Sequence, residues 1–200
     1  MPTWDLTELS LIAKSGFSAL NVSVDNQLIN HLAYESFGSP FLMQDFCRSI
    51  CQKCKIEYRQ KRQVPLNITD DAVNDIFSNI ANSSGRSMFD KLKRGPRTRT
   101  DRKPRHMKNG DVLDIYGVVM EALKHLRPGI ETITYDILRA NIREVLADDL
   151  PQHGEIARVL ENIAKISYSD SSSTPVIDWQ KDDDILTITD PFFAFFLKWS

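Results

Sequence analysis

The sequence predicts a mainly α-helical chain with a helical bundle over residues 1–90, a basic linker over 91–110 and a second helical module over 111–200. That second module is predicted to end in a small β-hairpin. Three observations carry the expectation. Apolar residues recur at helical spacing in most of the chain. The period changes to two only after residue 175. The cations crowd into one short stretch that is poor in apolar residues.

The elements follow in order. Leu6, Leu9, Ala13, Phe17 and Leu20 lie on one stripe and predict a first helix, which Asn21-Val22-Ser23-Val24 breaks. A second helix is expected over Asp25–Phe37, closed by Gly38 as the residue after the cap. Ser39 and Pro40 open a third as N-cap and first helical residue, and it is expected to reach about residue 60. Thr69-Asp70-Asp71 caps a fourth, with Val73, Ile76, Phe77 and Ile80 as its core face and Ser83-Ser84-Gly85 as its end. Residues 91–110 contain Gly95-Pro96, Pro104 and nine cations, a linker composition.

Beyond the linker, Asp111–Leu126, Thr134–Leu146 and Glu155–Ile166 each repeat apolar residues at helical spacing. Ser169–Thr174 reads as a polar loop. Val176–Trp179 and Ile185–Ile188 flank the polar turn Gln180–Asp184 as a hairpin. Asp190-Pro191 then opens an apolar helix holding Phe192, Phe193, Phe195, Phe196 and Trp199. Three helices followed by a hairpin is the pattern of a winged-helix domain. Such a domain either reads nucleic acid or serves as a docking and regulatory module.

Composition narrows the class. Two hundred residues with 42% hydrophobic content allow one or two domains with real cores. No run approaches the roughly 18 apolar residues of a membrane span, and the N-terminus has no signal or transit composition. Three cysteines, an odd number, suggest reduced thiols in the cytoplasm. The net charge of −2 hides an asymmetry. Lys and Arg against Asp and Glu stand at 8 to 10 in residues 1–90, 9 to 1 in 91–110, and 8 to 16 in 111–200.

Several chemistries lack their residues. The pattern G-x-x-x-x-G-K-[ST] is absent, so there is no P-loop. No G-x-S-x-G elbow occurs. His31, His106, His125 and His153 are scattered, with no second ligand at metal spacing. Cys47, Cys51 and Cys54 have the C-x3-C-x2-C spacing by which radical SAM enzymes hold an iron–sulfur cluster. Their helical spacing, Lys53 before the last cysteine, and the lack of βα repeats favour a core stripe of the third helix instead.

Two surfaces could meet a nucleic acid. In the basic segment, Arg94, Arg97, Arg99, Arg102, Lys103 and Arg105 could track phosphates without base stacking, since no aromatics are interleaved. The third helix of the second module offers Glu155, Arg158, Glu161, Asn162 and Lys165, nearly neutral. Asp178, Asp182, Asp183 and Asp184 of the hairpin against Lys181 would repel a phosphate backbone. These residues favour a docking module over a groove reader.

The residues also resemble a family. Glu8–Asn21 and Ile29–Phe46, with Gly38-Ser39-Pro40 inside the latter, resemble the helical lid of AAA+ and STAND-type P-loop ATPases. The triplet looks like the G-x-P motif of STAND lids, whose proline turn lies against nucleotide. Pro40 stands where many AAA+ lids carry a sensor arginine, which favours the STAND-like branch. Asp190–Trp199 looks like the end of the winged domain that follows such lids in many prokaryotic ATPases. The resemblance implies that Trp4-Asp5-Leu6 falls where an ATPase core hands over to the lid. The chain would be the C-terminal half of such an ATPase, without Walker motifs and without activity of its own. It would close over ATP or ADP, with Mg, held by a P-loop core in cis or trans. Gly38, Ser39 and Pro40 would contact the nucleotide, and a homo-oligomer is possible. The alternative is a non-enzymatic nucleic-acid-binding protein using the linker cations.

Overall fold

The computed structural model describes residues 4–97, 101–170 and 175–200. They are mainly helical, with nine helices and short strands among the described residues. The chain forms two compact units. One holds the residues up to Ser83 together with Trp199–Ser200, and the other holds Ser84–Lys198.

In the first unit, α1 (Leu6–Ala19) begins in a capping box: the Asp5 carboxylate accepts from the Glu8 amide at 2.8 Å, and the Glu8 side chain accepts from the Asp5 amide at 2.9 Å. Strand β1 (Val22–Ser23) follows. Asp25 caps α2 (Asn26–Glu35), and Ser39 caps α3 (Pro40–Lys53), with Pro40 in the first turn as expected. The third helix does not reach residue 60. Cys54 caps it, and Lys55 turns left-handed at φ 56°. Residues 55–63 carry no apolar stripe to extend it, and Tyr58 is 77% exposed. The chain instead returns to pair β2 (Val64–Pro65) in parallel with β1. Thr69 then caps α4 (Asp70–Ser84) by accepting from the Ala72 amide. Leu9, Phe17, Ile29, Leu32, Met43, Phe46 and Phe77 form the core, with the Phe46 and Phe77 rings 4.7 Å apart. Burying each of these large side chains is worth roughly 1.5–3 kcal/mol.

The second unit opens with α5 (Arg86–Arg94), which buries Phe89 and Leu92. The stretch read as a linker is therefore built in at both ends. Residues 91–94 are the last turn of α5, and β3 (Arg105–His106) pairs antiparallel with β4 (Val112–Leu113). Its cations masked this in the sequence, because ion pairs and two buried apolar residues anchor it rather than an apolar stripe. Because Val112 and Leu113 are taken into β4, α6 (Ile115–Leu126) starts four residues later than the periodicity suggested, with Asp114 as its cap.

Strand β5 (Thr132–Thr134) leads into α7 (Tyr135–Val145), capped by Thr134. Helix α8 (His153–Asp170) precedes the predicted hairpin of β6 (Ile177–Gln180) and β7 (Ile185–Ile188). The sheet has three strands in the order β5-β7-β6, so β5 adds a strand the sequence did not suggest. Helix α9 (Pro191–Trp199) closes the chain, with the Asp190 side chain accepting from the Phe193 amide at 2.7 Å. Phe193, Phe195 and Phe196 are buried. Phe196 packs beside the Phe89 ring at 5.2 Å and directly over Gly85. Trp199 belongs to the first unit, where its indole donates to the buried Glu35 at 2.8 Å.

Candidate functional site

The turn between α2 and α3 is built from backbone geometry. Phe37 and Gly38 are both left-handed, at φ 47° and 74°, so α2 cannot run on into α3. Such a φ suits glycine best. Gly38 accepts a hydrogen bond from the Trp4 amide at 3.0 Å, which holds the entering chain beside the turn. Ser39 is buried. Its amide donates to the Ser36 carbonyl, and its hydroxyl accepts from the Leu42 amide. Pro40 has no amide proton, and the Met43 amide donates to the Ser39 carbonyl. The first helical turn therefore leaves the Phe41 amide as its remaining donor, beside a Phe41 ring that is 66% exposed. A turn so satisfied presents a shaped surface and a single N–H. It lacks the run of free amides that grips phosphate at other helix starts.

The six cations expected to meet phosphate have different fates. Arg102 is mostly enclosed. Its guanidinium binds the Asp114 carboxylate and the Pro96 carbonyl, donates to the Arg94 carbonyl at 2.8 Å, and lies 4.3 Å from the centre of the Tyr116 ring. Arg105 is buried and donates to Glu155 at 2.6 Å. Both are structural ties. Arg94 is exposed and donates to the Asp90 carbonyl of its own helix. Arg97 and Lys103 are exposed, and Arg99 lies outside the described residues. Lys93, on the same stretch, is paired with Glu121 at 2.6 Å. Acidic partners in 111–200 thus absorb much of the charge that the sequence seemed to offer to a polyanion.

The surface of α8 is also occupied. Its Glu161 pairs with Lys181 of the hairpin at 2.8 Å, and His153 at its start meets Asp184 at 3.2 Å. The Tyr168 hydroxyl donates to Asp178 at 3.3 Å. Asn162, expected to face outward, donates its amide to the Tyr116 hydroxyl at 2.8 Å. Glu155 receives Arg105. Of the five residues expected on the exposed face, Arg158 and Lys165 remain exposed. The Glu161–Lys181 contact holds the carboxyl below and the ammonium above their usual ranges, mainly through their hydrogen bond.

The three cysteines do not form a buried stripe. Leu42, Met43, Phe46 and Ile50 form it, and Cys47, Cys51 and Cys54 border it, each half-buried. Helical spacing alone placed the cysteines with Ile50, but the larger apolar residues of the preceding turns set the direction of burial. Desolvation is the first cause that raises all three thiols, Cys47 to about 12, with Cys51 adding repulsion there.

His106 and Asp148 form a further pair that the sequence did not suggest. The Asp148 carboxylate accepts the His106 amide at 2.8 Å and faces its Nδ1 at 3.2 Å. That backbone hydrogen bond is the main reason its pKa is lowered. No sequence signal joined residues 106 and 148; the strand-like pairing of Met107 with Leu146 brings them together.

No helix among the described residues is long and apolar enough to cross a membrane. Comparison with known protein families, curated proteins and solved structures gave no match to this chain.

Proposed function

We propose that the chain is the helical lid and winged-helix region of an AAA+/STAND-type P-loop ATPase, closing over ADP or ATP held by a core that this chain lacks. The winged-helix part of the reading rests on element order: α6, β5, α7, α8, then the β6–β7 hairpin, with β5 paired to β7. Such a module acts here by docking, because its hairpin is tied back onto α8 by Lys181–Glu161 and His153–Asp184. A groove-reading helix needs that face free.

The observation that carries the lid reading is the Trp4–Gly38 hydrogen bond. It supports the reading because, if Trp4 follows a core, this bond would keep the junction close to the turn proposed to meet nucleotide. With every amide but that of Phe41 paired or absent, the turn supplies mainly shape, through Pro40 and Phe41. The phosphates and any Mg would be held by the core. Fold likeness alone is a weak guide to function, so the test must include a core.

The core used for this is a P-loop ATPase module that lacks a lid of its own. The purified chain is mixed with it and run by analytical size exclusion. Co-migration is expected in the presence of ADP, and Phe41→Ala should abolish it. Because Phe41 is exposed, that change spares the fold. Absence of co-migration, or indifference to Phe41→Ala, contradicts the proposal.

A second reading keeps one supporting observation: Arg97, Lys103 and Lys108 are exposed. A non-specific nucleic-acid binder would use them. Its affinity would fall linearly with the logarithm of salt concentration. Replacing Arg97, Arg99 and Lys103 with Gln should abolish duplex binding in a gel-shift assay. Loss on changing Arg158 and Lys165 instead would point to α8.

A further inference from the structure

We draw no further inference here: the strongest candidate, the groove of about 560 Å³ beside α2 and α4 that is floored by Leu28, Leu66, Ile68 and Val73 and edged by Asp25 and Asp70, carries nothing, because its carboxylates lie at helix starts and nothing in the structure shows what covers it.

Discussion

Arg102 lies with its guanidinium carbon 4.3 Å from the centre of the Tyr116 ring, while the same group binds Asp114 and the backbone carbonyls of Arg94 and Pro96. One side chain thus ties the end of α5 and Pro96 to the start of α6. Arg102→Ala should destabilise the chain by roughly 2–4 kcal/mol, since it removes charged hydrogen bonds and a cation–π contact together. Arg102→Lys should recover less than half of this, because an ammonium can neither fork nor stack as a guanidinium does. Urea unfolding of both variants measures this, and an unchanged midpoint for Arg102→Ala would show that the loop is not held there.

Four of the glycines form two contrasting pairs. A Cβ at Gly85 would stand 2.2 Å from the Phe196 Cβ, and one at Gly95 would stand 2.7 Å from the Tyr116 ring at a φ of +62°. Gly85→Ala should cost about 1–3 kcal/mol through overpacking, and Gly95→Ala should be at least as harmful because backbone strain is added. Gly16 and Gly154 have open space around the same position and no left-handed φ. Both lie in helices, so alanine at either should stabilise by up to about 1 kcal/mol. Thermal melts of the four variants should separate into these two pairs.

The thiols predict a pH dependence. Cys47 is raised from 9.0 to about 12 in the folded chain, mainly by desolvation. The unfolded chain therefore releases this proton first as pH rises. The stability tied to the neutral thiol is intact below pH 9 and is lost progressively between pH 9 and 12. Denaturation midpoints should fall across that window, and less steeply in Cys47→Ala. At pH 8 Cys47 should also alkylate more slowly than Cys54, as judged by mass spectrometry of iodoacetamide-treated native protein. Faster labelling of Cys47 would mean that its surroundings are wetter than the structure describes.

Much of the fold was legible because its signals are local. Asp25, Ser39, Thr69, Thr134 and Asp190 announce helix starts that the structure places within a residue. The Ile185–Ile188 strand follows from its own pattern. What failed to show was long-range. Helix α5 is strongly charged and has two buried apolar residues, so its fit against α6 is not visible in its own periodicity. Strand β5 is three residues long and exists because β7 pairs with it. Arg102 and Arg105 read as free cations because their partners, Asp114 and Glu155, lie 12 and 50 residues away. The break between α2 and α3 was legible from Gly38-Ser39-Pro40, but not the Trp4 amide that pins it.

The most direct measurement of the proposed closure is the rate at which ADP leaves a lidless P-loop ATPase core, followed with a fluorescent ADP, with and without this chain. The chain alone should bind ADP more weakly than about 1 mM, because it has no P-loop. Added to the core, it should slow ADP release at least about tenfold, equivalent to about 1.4 kcal/mol of closure energy. An unchanged release rate, or micromolar ADP binding by the chain alone, would contradict the account.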